Sequence, residues 1–231
     1  MNYGNILYFW HIIDYINIKL KDMKKIYCIL AAAVAILFAT EARAQIGIGV
    51  GYNLINNVND VFGVQTTEVF NGFYVEASYD INILEKSWGK LGVQPALRLS
   101  HAGVRESDTS SGITTITSEN VTYLDLPVFV KYSYEFNTLN LSAFAGPILS
   151  CGLSSVTEAS AGDVTTKINN YEDDGYGRFD LKLGIGISTA FDDQYEVKVG
   201  YNFGMLNRYT GQIENVSFRT GVFYAGFAFN F

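Results

Sequence analysis

The last ten residues, Val222–Phe231, read VFYAGFAFNF. Side chains of an extended strand alternate between its two faces, so Phe223, Phe227, Phe229 and Phe231 share one of them. An aromatic face that runs to the end of the chain predicts contact with lipid rather than water.

Reading upstream for the same period of two predicts eight strands: Ile46 to Leu54, Phe70 to Ile81, Leu91 to Val104, Val121 to Tyr134, Leu139 to Leu153, Tyr176 to Ala190, Tyr195 to Met205 and Val216 to Phe231. Most match or exceed the 9 to 11 residues with which a tilted strand crosses a bilayer. Connections alternate in length. Ile55 to Val69, Arg105 to Asn120, Ser154 to Gly175 and Leu206 to Asn215 are long and polar, and are expected to be loops; Asn82 to Lys90, Glu135 to Thr138 and Phe191 to Gln194 are shorter. That is the order of outer loops and periplasmic turns in a membrane barrel with both ends on one side, which needs an even strand count.

Each strand has one greasy and one mixed face. Leu124, Leu126, Val128, Val130, Tyr132 and Tyr134 alternate with Asp125, Pro127, Phe129, Lys131 and Ser133, and Phe179, Leu181, Leu183, Ile185 and Ile187 alternate with Asp180, Lys182, Gly184 and Gly186. A lipocalin-like barrel would turn the apolar face inward. Three features favour the reverse. Aromatics recur at strand ends (Tyr52, Tyr79, Tyr132, Tyr134, Tyr195, Phe231), as at membrane interfaces. Charges on the mixed face nearly balance: Glu76, Asp125, Asp180 and Glu196 against Arg98, Lys131, Arg178, Lys182 and Lys198. Small residues such as Gly47, Gly49, Gly184, Gly186 and Gly200 share that face, which suits a narrow lumen. The expectation is an all-β, eight-stranded antiparallel up-and-down transmembrane β-barrel with a polar, side-chain-filled lumen.

The other end of the chain supplies an address. Lys24 and Lys25 precede the apolar run Ile26 to Ala39, followed by Ala42-Arg43-Ala44: a charged segment, an apolar segment and a small-x-small site, the order of a secretory signal peptide cut after Ala44. At about 14 residues the run is shorter than the roughly 20 of a spanning helix. Met23 stands where such a signal begins, so residues 1–22 read as a mis-called start or an extension, 23–44 as the signal and 45–231 as the barrel domain. The first 44 residues hold five of the 16 Lys and Arg and three of the 23 Asp and Glu, which leaves 11 and 20 and a formal net charge of −9. Such a surface argues against nucleic acid. Cys151 stands alone after Cys28 leaves with the signal, and Lys25-Ile26-Tyr27 before Cys28 is no lipidation context.

Tyr123–Tyr132 (YLDLPVFVKY), Leu141–Leu149 (LSAFAGPIL) and Arg178–Gly186 (RFDLKLGIG) resemble three recurrent segments of the porin-like outer-membrane β-barrel domain family, to which PorT belongs. The resemblance implies a small integral barrel in the outer membrane, a terminal strand (Phe223, Phe227, Phe229, Phe231) read by the barrel-insertion machinery, and, in the PorT branch, a part in protein secretion.

Within the barrel the nine inward ions are expected to pair, Asp125 with Lys131 or Arg178 and Glu196 with Lys182 or Lys198, because an unpaired charge is costly at low dielectric. The same residues could line a narrow polar path. Pro95, Pro127 and Pro147 each remove a ladder donor and are expected to sit at bulges. His101, with Asp108 as a candidate partner, has no nucleophile or metal-ligand spacing beside it, so neither catalysis nor a metal or other cofactor is expected. The run Glu172-Asp173-Asp174-Gly175 is acidic but lacks EF-hand spacing. Gly47-x-Gly49-x-Gly51 has no helix after it and is not a phosphate loop. The reading is therefore a non-enzymatic barrel with a structural or surface-interaction role through its outer loops; the alternatives are a narrow porin for small solutes and a PorT-like accessory of secretion. Its expected partners are outer-membrane lipid, the insertion machinery, and a secretion complex or extracellular ligand at the loops.

Overall fold

The computed structural model describes residues 44–231 apart from 111, 112, 163, 173, 174 and 212. The extension and signal read in residues 1–43, like Asp173 and Asp174 of the acidic run, lie outside the described residues.

The elements are β1 (Ala44–Val61), β2 (Val64–Lys86), β3 (Gly89–Ser110), β4 (Ile113–Phe136), β5 (Leu139–Ala161), β6 (Val164–Asn169), β7 (Phe179–Phe191), β8 (Tyr195–Gly204) and β9 (Val216–Asn230). Neighbours pair antiparallel in the cyclic order β1-β2-β3-β4-β5-β7-β8-β9 and back to β1, so eight strands close a ring. The ninth, β6, pairs only with β5 beyond the ring.

The pairing fixes the tilt. From Leu54 the partners run Phe223, Tyr201, Ile185, Ala145, Val130, Val93 and Ile81, and the circuit returns to β1 at Ala44, ten residues from its start. A ten-residue stagger over eight strands, at about 3.3 Å per residue and 4.8 Å between strands, inclines the strands by about 40°. That lies within the range of membrane barrels.

The faces decide the environment. Ile48, Val50, Phe73, Leu99, Val130, Leu183, Ile187, Val197 and Phe227 point out and are exposed, whereas Glu76, Arg98, Asp125, Lys182, Glu196 and Lys198 are buried. Ile187 is 66% exposed and Lys182 only 1%. This inversion excludes the lipocalin arrangement, because water would leave the apolar belt unburied and the charges would have no reason to be inside.

Three sequence expectations need correction. The connections read as the long loops Ile55 to Val69, Arg105 to Asn120 and Ser154 to Gly175 are largely strand: β1 and β2 meet at the two-residue turn Phe62–Gly63, β3 and β4 extend to Ser110 and Ile113, and β5 continues to Ala161 before β6. Beyond the bilayer both faces of a hairpin meet water, so the polar/apolar alternation fades while backbone pairing persists. Phe62 and Gly63 have φ of 54° and 84°, the left-handed pair of a tight hairpin turn. The strand count is therefore nine rather than eight, the ring remaining eight. The prolines do not mark bulges: the register is unchanged across Pro95–Val128, Pro127–Ile148 and Pro147–Leu183, and the shifts fall instead at Asn82/Leu84 and Thr122/Tyr123.

Candidate functional site

Turning the mixed faces inward sets ions against aromatic rings. Glu76 and Arg98 face each other across β2 and β3, with Arg98 Nε donating to Glu76 Oε2 at 2.7 Å. The Arg98 guanidinium lies 4.5 Å from the ring centre of Tyr74 and 4.1 Å from that of Tyr224, a cation between two π faces. On the other side of Glu76, Lys198 Nζ donates to Oε1 at 2.9 Å and stands 3.8 Å from Glu196. Lys131 then joins Glu196 at 3.0 Å to Asp80 at 3.1 Å. Six charges of alternating sign thus descend the lumen: Arg98, Glu76, Lys198, Glu196, Lys131, Asp80. Phe129, Phe144 and Ile148 complete the aromatic layer with Tyr74 and Tyr224. Glycines make room for it: a Cβ on Gly51 or Gly226 would strike the Tyr74 ring, and one on Gly186 the Phe144 ring.

Asp125 pairs with Lys182 at 3.3 Å, not with Lys131 or Arg178 as expected; Glu196 stands 3.8 Å from Lys198, one of its two expected partners, and bonds Lys131 rather than Lys182. Strand order is the cause of the Asp125 pairing: β5 separates β4 from β7, its Ser150 standing opposite both Asp125 and Asp180, so Lys182 comes within reach of Asp125. Arg178 lies before β7 at the rim; its Nη1 donates to the carbonyls of Gly152 and Leu153, its Nη2 is 3.8 Å from Glu172, and its guanidinium covers the Tyr171 ring at 4.6 Å. Asp180 is buried, accepts the Leu206 N–H at 3.4 Å, and forms no salt bridge among the described residues. Asp80 was overlooked although it continues the inward series Glu76, Ser78, Asp80.

Arg208 was overlooked too, because nothing in strand periodicity marks a loop that folds back. It is 4% exposed and donates to Gly177 O at 3.1 Å, Tyr123 Oη at 3.0 Å and Thr220 Oγ1 at 2.8 Å. Residues 175–177 and 208–210 are stitched together above it by Gly177 N–H to Arg208 O at 2.6 Å, Thr210 N–H to Gly175 O at 2.8 Å, and a bridge between Tyr176 and Tyr209. Tyr176 stacks on Phe218 at 4.5 Å, and burial, reinforced by Glu119 and Glu68, pushes its hydroxyl pKa up to about 12. These segments roof the lumen.

Past the roof the β1–β2, β3–β4 and β5–β6 hairpins form arms carrying Asp60, Glu68, Glu106, Asp108, Glu119 and Glu158 against Arg105 and Lys167. His101 lies at their base, its Nδ1 3.0 Å from Thr122 Oγ1 and its ring 5.8 Å from Phe73, not beside Asp108. At the opposite end a polar cavity of about 270 Å³ opens between Asp80, Lys90, Lys131, Asp193 and Phe231. On the terminal strand Phe223 and Phe227 are exposed outward, and Phe229 meets Phe231 edge-on at 4.8 Å and Tyr195 at 5.3 Å.

Comparison with known proteins gives the following. The chain is similar to the attachment invasion locus protein Ail of Yersinia pestis (12% identity, 81% of this chain and 99% of that one, TM-score 0.45). It is similar as well to OprG from Pseudomonas aeruginosa (10%, 82% and 96%, TM-score 0.40) and to the outer membrane protease OmpT from Escherichia coli (10%, 81% and 96%, TM-score 0.40). No curated protein matches. The profile described as "Outer membrane protein beta-barrel domain" matches residues 38–207. With an apolar belt turned outward, an ionic lumen and that match over most of its length, the chain belongs to the outer membrane protein β-barrel domain family and resides in the outer membrane.

Proposed function

We propose that this protein is a stoppered, non-enzymatic barrel that acts through its outer arms, by contact with partners or ligands outside the cell. The observation that carries this reading is the contrast between the two parts: the lumen is packed by Arg98, Tyr74, Tyr224, Phe129 and Phe144 under a roof pinned by Arg208, while the strands run on past the membrane as acidic hairpins. An eight-stranded ring is just wide enough to be filled by side chains or to hold one small ligand. The acidic arms favour neutral or cationic partners over anionic ones.

One observation favours a narrow porin instead, the polar cavity at the turn end. Planar-bilayer conductance of the refolded protein separates the two, with heat-modifiable gel mobility reporting that the barrel has formed. A folded, silent barrel supports the stoppered reading. Discrete conductance steps overturn it.

A further inference from the structure

The apex of the first arm, Val61 to Val64, carries an inference that rests on the reading that the arms make the external contacts and names what one of them touches. β1 is paired on both sides to its end, Val61 standing opposite Val64 on β2 and Val216 on β9, so three strands hold the apex in place. It lies nine residues beyond Tyr52. At about 3.3 Å per residue and a tilt of about 40°, that sets it about 20 Å further out along the barrel axis, beyond the hydrocarbon that covers the belt.

Among the described residues, those other than glycine with positive φ are Phe62, Asn137, Asp192, Asp193 and Asn215. Four are Asn or Asp, which tolerate the left-handed region; Phe62, at 54°, is a bulky residue that does not. A two-residue turn of this hand prefers Asn before its Gly. The fold therefore gains nothing from an aromatic here, and the ring is 68% exposed, with Val61 and Val64 exposed beside it. Both N–H groups of the turn are meanwhile bonded within the arm: Phe62 N–H donates to Asn215 O at 3.0 Å and Gly63 N–H to Asp60 Oδ1 at 2.9 Å, while Gln65 Nε2 donates to Asp60 Oδ2 at 3.2 Å. What the apex turns outward is apolar surface whose turn donors are already engaged.

Such a surface suits a non-directional, apolar medium, and the charge behind it narrows the choice. Asp60 caps the turn, and Glu214, exposed, precedes the Asn215 that holds Phe62. Anionic headgroups repel these carboxylates, whereas the outermost choline ammonium of a zwitterionic phosphatidylcholine complements them. We propose that Phe62, with Val61 and Val64, is a membrane-contact tip that enters the zwitterionic surface of a bilayer other than the protein's own.

Flotation of the protein in nanodiscs with phosphatidylcholine vesicles tests this, with phosphatidylglycerol vesicles and empty nanodiscs alongside. Wild type is expected to float with phosphatidylcholine above the empty-nanodisc level, and about fivefold less with phosphatidylglycerol at low salt. Phe62→Asn should weaken the phosphatidylcholine binding by about tenfold or more, while its urea midpoint in micelles stays level or rises, because Asn-Gly suits the turn; the loss is then not a loss of fold. Phe62→Trp supplies a second measurement, since bromine on the vesicle lipid should quench the added fluorescence. No flotation of wild type, equal binding to the two lipids, undiminished flotation of Phe62→Asn, or unquenched Phe62→Trp overturns the proposal. Binding to red-cell ghosts that needs Phe62 and disappears when the ghosts are treated with protease assigns the tip to a protein pocket and overturns it equally. The stoppered reading stands or falls separately, by conductance.

Discussion

Lys182 on β7 and Asp125 on β4, 57 positions apart in the chain, meet at 3.3 Å inside the lumen, where their side chains are 1% and 6% exposed. A pair so enclosed says little about net stability, since desolvation offsets much of its attraction. Losing one member is another matter. Lys182→Met strands a buried carboxylate and is expected to destabilise the refolded barrel by about 3–5 kcal/mol, whereas Lys182→Met combined with Asp125→Asn should recover most of the loss. Urea unfolding in micelles, followed by tryptophan fluorescence, gives both numbers.

The lipid face has its own test. Val128 points outward on β4 and is 42% exposed, so Val128→Arg should cost about 2–4 kcal/mol in lipid if it sits near the midplane. Thr114, exposed on the arm of the same strand, should accept arginine with almost no change. Equal penalties in vesicle-based unfolding would refute the belt assigned to the outward residues.

Arg208→Ala removes the pin under the roof. Its donors to Gly177 O, Tyr123 Oη and Thr220 Oγ1 disappear together. Amide exchange in 175–178 and 207–211 should accelerate by more than tenfold, with the strands of the ring unchanged. Uniform protection across wild type and variant would mean that the stitching between Gly177, Arg208 and Thr210 holds by itself.

Removal of Phe231 should slow assembly into membranes by the insertion machinery far more than it alters the circular dichroism of barrel refolded in detergent. The ring of Phe231 is 69% exposed and meets Phe229 edge-on, so its packing contribution is small. Normal assembly of the shortened chain would count against a recognition role for the terminal aromatics.

Much of the ring could be read from period-two patterning because each membrane strand has two unlike surroundings. Val128 and Val130 against Asp125 and Lys131 carry that contrast plainly. It disappears on the arms, where Thr114, Thr115 and Thr117 meet water on both sides, so the paired backbone there looked like loop. Inward placement was legible for Glu76, Arg98 and Lys198, but the choice of partner was not: Asp125 finds Lys182 through the register of β4 and β7 on either side of β5, which no single strand encodes. Arg178 misled because its alternation with Phe179 continues in sequence past the point where β7 begins. Arg208 gave no sign at all, since a loop that returns into the lumen obeys no repeat. Bulges at Asn82/Leu84 and Thr122/Tyr123 rather than at the prolines reflect the same limit: a missing donor is local, whereas a register shift belongs to a pair of strands.

The seam between the first and last strands also dictates when this protein can become itself. Gly47 pairs with Asn230 and Val50 with Phe227, so the wall closes by joining residues from opposite ends of the chain, a contact with a large loop-closure penalty. Until the final strand emerges, β1 and β8 are each paired on one side only, and unpaired edges invite aggregation. A ribosome therefore releases this chain with its greasy faces still unsatisfied, and its passage to the membrane must be escorted: translation can finish the polypeptide, but cannot fold it piece by piece.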